Sequence, residues 1–260
     1  MSTVTKAVEL LNFFSAERAE IRLADFQRLT GRDKTTTYRH LSALESTGLL
    51  EQDDKTRAYR MGPAVLRLSH IREVTVPRRA GVRVVLPRLA EVTGETAHAS
   101  IVQGNTLVTL ADHESGRHSA RVVLDNAVLP FHATASGLAV LAYADEALKQ
   151  HAFEQAESFT DQTIVDPTQL EELLRKVRTT GFSEIENSFE QGVVGIAVPL
   201  FDSSHKVAGS VAVASVASRI NDDLVRLIKT ELITAARSIS TSWGGMLPAQ
   251  LESAWSSQSF

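Results

Sequence analysis

Apolar side chains recur at helical spacing over the first 60 residues, with single glycines between the predicted helices. Leu23, Phe26 and Leu29 fall on one face of a helix, and Gly31 can then end that helix in a left-handed turn. Asp33 is suited to begin the next helix, because its carboxylate can accept hydrogen bonds from the free amides of the first turn. This pattern predicts two short helices joined by a tight turn.

The second of these helices is predicted to have an inner and an outer face. Thr37, Leu41 and Leu44 recur at i, i+4 and i+7, which predicts that they point into a core. The polar side chains of the first two turns are left on the outer face. These outer residues are Lys34, Thr35, Thr36, Tyr38, Arg39 and Ser42.

The elements around this pair of helices complete a familiar arrangement. A further helix is predicted at residues 3–14, and Gly48 ends the second helix of the pair. Strands at 49–51 and 59–61 then enclose a charged turn at 53–57, which gives a two-stranded ribbon. Helix, turn, helix and ribbon in this order are the layout of a winged helix-turn-helix, whose second helix fits the major groove of DNA.

The winged helix-turn-helix predicts a double-stranded DNA partner. Recognition helices usually read bases with their N-terminal turns, through Arg and Lys to guanine and through hydroxyls to bases or phosphates. Lys55 and Arg57, in the turn of the ribbon, are expected to contact flanking phosphates. The alternative is an ordinary helical hairpin with a charged, solvated face; the ribbon at the expected distance favours DNA binding.

The pattern at 63–75 predicts a linker helix. Its apolar residues Val65, Leu66, Leu68 and Ile71 form a stripe that could pair with a copy of itself. A proline at position 77 then marks a boundary. The predicted parts are a winged helix-turn-helix domain at 1–62, a linker helix at 63–76, a larger domain at 77–245 and a C-terminal tail at 246–260.

The larger domain combines helices and strands. Its strongest local signal is a Gly-Asn hairpin turn between strands at 97–102 and 106–111. Because the predicted helices flank one antiparallel sheet, the fold class is α+β. The tail is polar and is expected to be loose, although Trp255 and Phe260 could dock. The remaining predicted elements are strands at 121–124, 181–186, 192–201 and 206–215 and helices at 79–93, 136–143, 144–151, 167–180 and 221–240.

Charge is divided unevenly along the chain. The 260 residues carry a net charge of −4, but residues 1–76 hold 12 Lys and Arg against 10 Asp and Glu. The remaining residues hold 15 against 21, so the basic surplus lies with the predicted DNA-binding segment. Because this surplus is small, tight binding is expected to need two or more copies of the domain on one DNA site.

Composition also limits the class of protein. The chain contains no cysteine, which excludes disulfides and thiolate chemistry. The first 20 residues lack the apolar core of a signal peptide. The apolar stretches near 136–144 and 193–201 are far shorter than the roughly 20 residues that a membrane helix needs. We therefore expect a cytoplasmic protein that does not contact a membrane.

Two patterns in the larger domain predict a cavity for a ligand. Thr134 can cap the helix that begins after it. The free amides near Ala135, Ser136 and Gly137 would then favour an anion. The strand at 209–215 places valines on one face and small Ser and Ala side chains on the other, which leaves room for a ligand. The alternative for each pattern is the close packing of a helix against small side chains.

Other chemistry finds little support in the sequence. The spacing of His113, Glu114 and His118 in a predicted loop suits no common zinc motif, so a polar surface loop is the favoured interpretation. His98 could approach a cavity or a metal, but a satisfied core histidine is favoured, and His132 is interpreted as structural. Because the chain lacks a nucleophile elbow, a phosphate-binding glycine loop and an evident carboxylate pair, no catalytic residue, metal or cofactor is predicted.

Four stretches together make the chain resemble a known family. They are TTTYRHLSALE at 35–45, LPFHATASG at 129–137, GVVGIAVP at 192–199 and SRINDD at 218–223. In this order they resemble the IclR family of bacterial transcriptional regulators over residues 3–245. The resemblance implies a winged helix-turn-helix, a linker helix and a C-terminal effector-binding domain of GAF-like or profilin-like topology. It also implies homodimers, commonly paired into tetramers, on a near-palindromic promoter site.

The function implied by this resemblance is that of a ligand-responsive regulator. Such a protein acts as a repressor or an activator of nearby catabolic genes and responds to a small organic acid. The alternatives are a DNA-binding regulator without an effector and, less favoured, an enzyme fused to a helix-turn-helix. Turnover assays would test the enzyme, and ligand-dependent DNA affinity would test the regulator without an effector.

The chain departs from the family pattern at the expected effector site. Members that bind small keto acids carry polar residues at places that correspond here to Ile185, Gly195, Ala212 and Ala214. Loss of these hydrogen-bonding groups disfavours a tiny, fully polar ligand, because its oxygens would go unpaired. A bulkier or partly apolar acid, such as an aromatic one, is therefore expected.

In this prediction, Leu129 and Ile185 face the apolar part of the acid, and the amides of Ser136 and Gly137 face its carboxylate. Three polar side chains of the last strands are added as further contacts. The expected effector-binding residues are Leu129, Ala135, Ser136, Gly137, Ile185, Glu186, Asn187, Gly195, Ala212, Ala214 and Ser215.

Overall fold

The structure, a computed structural model, describes residues 2–15, 18–75, 78–124 and 128–257. The chain divides into two compact units, Met1–Pro77 and Arg78–Phe260. Each unit has its own hydrophobic core. We refer to them as the N-terminal unit and the C-terminal unit.

The N-terminal unit combines short helices with a small antiparallel sheet. The strands pair in the order β1-β3-β2. Phe26 lies at the centre of the core and contacts Phe13, Phe14 and Tyr59 edge to face. The described elements are α1 (Thr3–Val8), a 3₁₀ turn (Glu9–Phe13), β1 (Ile21–Arg22), α2 (Leu23–Thr30), α3 (Lys34–Ser46), β2 (Leu50–Gln52), β3 (Ala58–Met61) and α4 (Pro63–Thr75).

The turn between α2 and α3 forms as its residues predict. Gly31 adopts a left-handed φ of 65°, which ends α2. The Asp33 carboxylate accepts a hydrogen bond of 2.8 Å from the Thr36 amide, which begins α3. Thr37 and Leu41 are fully buried, so the predicted inner face of α3 is confirmed.

Two predictions in the N-terminal unit need correction. The helix expected at 3–14 is α-helical only to Val8 and continues as a 3₁₀ turn. Strand β1 has no counterpart in the prediction, because a two-residue strand leaves no periodic pattern. Its Ile21 pairs with Tyr59 and so extends the ribbon into a sheet of three strands.

A helix, α4, forms over 63–75, where a linker helix is predicted. Its apolar residues are largely in contact with solvent, since Leu66 is 75% exposed and Leu68 and Ile71 are each 48% exposed. An exposed stripe of this kind is unusual for a helix of one chain, which must bury its apolar face against another element. The predicted pairing of this stripe with a copy of itself stays a prediction.

The C-terminal unit is built on one sheet of six described strands. The strands pair antiparallel in the order β6-β5-β4-β9-β8-β7. The described elements are α5 (Arg78–Thr93), β4 (Thr96–Gln103), β5 (Thr106–His113), β6 (Val128–Leu129), α6 (Ala135–Leu141), α7 (Glu146–Glu154), α8 (Pro167–Thr180), β7 (Ser183–Glu186), β8 (Val193–Phe201), β9 (Val207–Val216), α9 (Asp222–Ser242) and α10 (Ala249–Ser256).

The two faces of this sheet are covered by different helices. Helices α5 and α9 pack on one face, in a core that includes Val211 and Val213 of β9. On the other face, Ala135 and Ala139 of α6 pack against Ala212. Strict alternation along β9 therefore separates a valine face from an alanine face, as the sequence predicts. The α+β class is confirmed.

One predicted strand is wrong. Residues 121–124 form no strand, and the outermost strand is instead β6, where Leu129 pairs with Leu107. The reason lies in the hydrogen bonds of this stretch. The Val122 carbonyl accepts a hydrogen bond of 2.6 Å from the Thr96 hydroxyl rather than from a neighbouring strand. Val122 is buried, so the stretch lies along the protein as a loop.

The expectation of a loose tail is also wrong. Residues 249–256 form α10, in which Leu251 and Trp255 are buried in the same core as α5 and α9. The Trp255 indole N–H donates to the Gly181 carbonyl at 3.1 Å, so the predicted docking of this side chain is confirmed. Phe260 lies outside the described residues.

Candidate nucleic-acid interface and ligand cavity

Helix α3 presents its polar first turns to solvent. Tyr38 is 51% exposed, and Lys34, Thr35 and Arg39 are also exposed. The remaining predicted contacts, Thr36 and Ser42, are half-buried on the same helix. The predicted outer face of α3 is thus open along the part that a recognition helix inserts into the major groove.

The cations of this face differ from those around it in their ion pairing. Within the described residues, Lys34 and Arg39 form no salt bridge. By contrast, the Arg32 guanidinium lies 2.5 Å from the Glu9 carboxylate, and that of Arg60 lies 2.6 Å from Glu51. The unpaired charges of α3 are therefore available to an anionic partner without the loss of an internal contact.

The ribbon turn between β2 and β3 is held in a fixed shape by its own backbone. The Asp53 carboxylate accepts hydrogen bonds from the amides of Thr56 at 2.7 Å and Lys55 at 3.0 Å, and these bonds lower the pKa of Asp53. Arg57 has a left-handed φ of 57°, and the Gln52 side chain donates to its carbonyl at 2.9 Å. Lys55 and Arg57 are exposed at this turn, as a contact with phosphate requires.

His40 is a feature of α3 that the sequence analysis missed. Its side chain is 2% exposed, and within the described residues neither ring nitrogen has a hydrogen-bond partner. Burial lowers the pKa of His40, and the nearby Arg39 and Arg32 lower it further. His40 follows the inner face by helical spacing, at i+3 from Thr37, so periodicity alone could have identified it as buried.

A cavity opens between the alanine face of the sheet and the start of α6. The cavity has a volume of about 80 Å³, which is more than a single water needs. Small and apolar side chains dominate its wall. The lining residues are His98, Val122, Val123, Leu124, Leu129, Ala133, Thr134, Ala135, Ser136, Ile185, Ser188, Phe189, Glu190, Val193, Gly195, Ala212 and Ala214.

The strand register explains why the cavity forms there. His98 pairs with Ala212, and Gly195 pairs with Ala214, so small residues of β8 and β9 lie beside the larger His98 of β4. A Cβ atom on Gly195 would lie only 3.0 Å from the Ala135 Cβ, a tight contact. Small side chains on both sides therefore let α6 approach the sheet while leaving space at its first turn.

His98 is the most unusual group in the wall. It is 6% exposed, and its Nε2 lies 3.0 Å from the Ser136 hydroxyl. Its Nδ1 is buried and has no partner among the described residues. A core histidine with satisfied hydrogen bonds, the interpretation favoured above, is correct for Nε2 and wrong for Nδ1. Burial lowers the pKa of His98 to about 4, so the imidazole is neutral near pH 7.

Seven of the eleven residues predicted to bind an effector lie together in this wall. They come from four strands and one helix that are far apart in the sequence, which the fold brings to one place. These residues are Leu129, Ala135, Ser136, Ile185, Gly195, Ala212 and Ala214.

Four predicted residues do not line the cavity. The Gly137 amide donates to the Thr134 hydroxyl at 3.0 Å, so the helix cap uses the group that was expected to bind an anion. Glu186 points to solvent, and the Asn187 side chain accepts from the Gly192 amide at 2.6 Å in the β7–β8 turn.

Ser215 is the fourth residue outside the cavity. It alternates with the alanines of β9 and pairs with Val194, a residue of the core formed with α5 and α9. Its hydroxyl donates to the Val216 carbonyl at 3.3 Å. Ser215 thus lies on the opposite face of the sheet, because strict alternation groups it with Val211 and Val213.

The described residues contain neither a metal site nor a membrane-spanning helix. No group of three or more His, Cys, Asp or Glu side chains is arranged to hold a metal ion. No described helix is long and apolar enough to cross a membrane. His113 lies at the end of β5 and His118 in the loop beyond it, 5 residues apart in sequence.

Comparison with known proteins gives two family matches that together span most of the chain. Residues 72–241 match the family described as bacterial transcriptional regulator IclR C-terminal. Residues 3–54 match the IclR helix-turn-helix domain. The first match alone covers more than half of the chain.

Individual relatives and structures agree with these matches. The HTH-type transcriptional regulator BhcR of Paracoccus denitrificans is 30% identical over 247 residues, which cover 94% of this chain and 86% of BhcR. A crystal structure of an IclR transcriptional regulator from Silicibacter sp. TM1040 has 41% identity and a TM-score of 0.91, covering 96% of this chain and 99% of that one.

A more distant structure carries a bound molecule. It is an IclR homologue from Microbacterium hydrocarbonoxydans in complex with 4-hydroxybenzoate. It is 18% identical, with a TM-score of 0.74, and the match covers 92% of this chain and 100% of that one. At this identity the likeness concerns the fold alone.

Proposed function

The chain belongs to the IclR family of transcriptional regulators and carries the family's DNA-binding helix-turn-helix, and on this premise we propose that it regulates transcription in response to a small organic acid. The observation that carries the proposal is the cavity at the start of α6, together with the exposed polar face of α3 in the same chain. The genes that it controls would be neighbours that metabolise the acid.

In the proposed DNA complex, the first two turns of α3 enter the major groove. Arg39 and Lys34 are placed to donate to guanine, and the hydroxyls of Thr35 and Thr36 to bases or phosphates. Lys55 of the ribbon contacts a flanking phosphate. Tyr38, Ser42 and Arg57 complete the interface. The exposure of the α3 cations and their lack of internal salt bridges support this arrangement.

The proposed effector is an organic acid with an apolar body. The wall of the cavity contains Leu129, Ile185 and Phe189 but no Lys or Arg among the described residues. Apolar walls with few polar groups are typical of sites for small, partly apolar molecules. The aromatic acid bound by the homologue from Microbacterium hydrocarbonoxydans belongs to the same chemical class.

The proposed response is a shift between conformations of an oligomer. Two chains pair through the exposed apolar stripe of α4, and dimers pair into tetramers on a near-palindromic site. An acid that prefers one geometry of the dimer changes the separation of the two recognition helices and thereby the affinity for DNA. The exposure of Leu66 and Ile71 on α4 supports a partner at this surface.

A titration of DNA binding with acids tests the proposal. Fluorescence anisotropy measures the affinity of the protein for its own upstream intergenic DNA, with and without benzoate, 4-hydroxybenzoate, pyruvate or glyoxylate. We expect an aromatic acid to change the affinity by at least several-fold, which corresponds to a coupling of about 1 kcal/mol or more.

Two results of this titration would contradict the proposal. Equal affinity with and without all four acids would support a DNA-binding regulator without an effector. A response to pyruvate or glyoxylate alone would contradict the expected apolar body of the ligand. A parallel assay for consumption of each acid tests the hypothesis that the chain is an enzyme, since turnover would overturn a purely regulatory role.

A further inference from the structure

The wall of the cavity holds few polar groups, and almost none of them carries a charge. Apart from Glu190, the ionisable group of the described wall is His98. The neighbouring side chains of α6 and β9, which include Ser136, Ala212 and Ala214, are uncharged. An acid that enters this cavity as an anion therefore meets no permanent positive charge on the described wall.

Two buried atoms of the wall have no hydrogen-bond partner among the described residues. They are His98 Nδ1 and the hydroxyl of Ser188, whose residues are 6% and 3% exposed. Buried polar atoms are nearly always paired in proteins, and an unpaired one is destabilising. Because both residues line one cavity, a ligand that supplies hydrogen-bonding atoms could satisfy both groups.

Two acidic residues are placed around His98 by the strand register and by the cavity wall. Asp112 is opposite His98 in the β4–β5 register, and Glu190 shares the cavity wall. Both carboxylates are exposed. Neither carboxylate offsets the negative charge of a bound acid. Because the described wall holds no cation, an acid that entered as an anion and remained unprotonated would be buried without a compensating charge.

We infer that an organic acid enters this cavity together with one proton, which is held between His98 and the carboxyl group of the acid. The inference rests on the proposed function and specifies how its ligand is held. One acid anion, one protein and one proton from solvent give the complex. The proton can reside on His98, giving an ion pair, or on the acid, giving a neutral hydrogen bond to the imidazole. Both arrangements contain the same atoms and the same total charge.

The state of the free groups explains why the proton must come from solvent. Burial lowers the pKa of His98 to about 4, so this side chain is neutral in the free protein near pH 7. A carboxylic acid has a pKa of about 4 in water and is ionised at the same pH. Neither partner brings the proton, so the complex takes it up on binding.

The uptake makes binding depend on pH with a definite sign. As pH rises above the pKa values of the free groups, the bound proton becomes harder to supply and the affinity falls. Linkage predicts a decrease of about tenfold per pH unit for one proton, until the pKa of the complex is passed. We therefore expect benzoate to bind more tightly at pH 6 than at pH 7.

Calorimetry of wild-type protein measures the proton directly. Benzoate and 4-hydroxybenzoate are titrated at pH 7 in phosphate and in Tris, whose different heats of ionisation reveal the number of protons taken up. Benzamide, which has nearly the shape of benzoate but no charge, is the matched control. We expect about one proton to be taken up per bound acid and none per bound benzamide. The affinity for benzamide should therefore not change with pH.

Two variants assign the proton to its site. His98→Gln keeps a polar side chain of similar size but cannot titrate, so proton uptake with benzoate should fall to zero while benzamide still binds. Ser188→Ala should weaken the binding of benzoate at every pH, while the number of protons taken up is unchanged. Near-ultraviolet circular dichroism checks that both variants fold, and the wild-type measurement stands without either of them.

The outcomes separate this inference from the function on which it rests. If an acid binds without proton uptake, or if His98→Gln retains the uptake, the inference is wrong and the proposed function stands. If neither benzoate nor 4-hydroxybenzoate binds the wild-type protein, the proposed effector class fails, and the inference fails with it.

Discussion

The outer face of α3 and the cavity beside α6 both present polar groups without a partner among the described residues, but they differ in their exposure to water. On α3 the unpaired groups are permanent cations in solvent, such as Lys34 and Arg39. In the cavity they are neutral and buried, such as His98 Nδ1 and the Ser188 hydroxyl. The first arrangement suits a large polyanion, and the second suits a single small molecule.

This difference predicts which solution condition controls each surface. Exposed cations attract phosphates through forces that salt screens, so DNA affinity should fall steeply with ionic strength. Because the described wall of the cavity holds no cation, we infer that an acid enters it with a proton, so effector affinity should respond mainly to pH. The variants below, ordered from the largest expected effect to the smallest, test whether the two surfaces are independent in this way.

The largest effect is expected from Trp255→Ala, which tests how firmly α10 is docked on the unit that contains the cavity. Trp255 is 3% exposed and donates to the Gly181 carbonyl, so its loss should destabilise the protein by about 3–5 kcal/mol. Denaturant unfolding followed by Trp243 fluorescence reports on the same unit. Ser253→Ala, at an exposed position of α10, is the control. A loss below about 1 kcal/mol would show that α10 docks only loosely.

Ala214→Leu should weaken effector binding without changing DNA binding, because it fills the cavity. Ala214 lines the cavity, so the added carbons occupy the space of the ligand. We expect benzoate affinity to fall at least about 100-fold, or about 2.8 kcal/mol, while DNA affinity without effector is unchanged. Val84→Leu, at a position that is 80% exposed on α5, is the matched control. Undiminished benzoate binding would place the ligand elsewhere.

Arg39→Ala should affect only DNA binding by the outer face of α3. If Arg39 reads a base, its loss should cost about 1–3 kcal/mol of DNA affinity and relax the preference at one position. Competition among single-base variants of the operator measures both effects. Arg226→Ala, in an ion pair with Asp223 on α9, controls for the change in charge. An equal loss at every sequence would show a phosphate contact instead.

Lys55→Ala should give the smallest change in DNA affinity. The dependence of that affinity on salt concentration reveals the change better than a measurement at one salt concentration. Each phosphate contact adds about one unit to the slope of log affinity against log salt, so the variant should have a flatter slope and unaltered sequence preference. Lys149→Ala, whose side chain pairs with Glu146 on α7, is the control. A changed base preference would mean that the ribbon enters a groove.

The two surfaces also differ in how far the sequence could predict them. The face of α3 consists of neighbours on one helix, so the positions of Thr37, Leu41 and Leu44 define both of its sides. The same period includes His40, which was overlooked because a polar residue breaks an apolar pattern. Local periodicity therefore predicted nearly all of this surface.

The cavity is assembled from segments that are far apart, and only some of them carry a local pattern. The small residues of β9 and the capped start of α6 gave such a pattern, whereas Ser188 lies in a loop that gave none, and the pattern around Val122 predicted a strand that does not form. Alternation could define the two faces of β9 but was not applied to Ser215. Tertiary contacts alone decide the positions of Ser188 and Val122, as they do for the docking of α10.

The central claim is that the outer face of α3 contacts DNA, and a mobility-shift titration of the upstream intergenic fragment tests it most directly. Wild-type protein and the double variant Lys34→Ala, Arg39→Ala are compared at several salt concentrations. We expect the wild type to retard the fragment, with log affinity falling linearly with log salt, and the variant to bind at least about 10-fold more weakly. No retardation by the wild type at modest ionic strength, or equal retardation by both proteins, would contradict the claim.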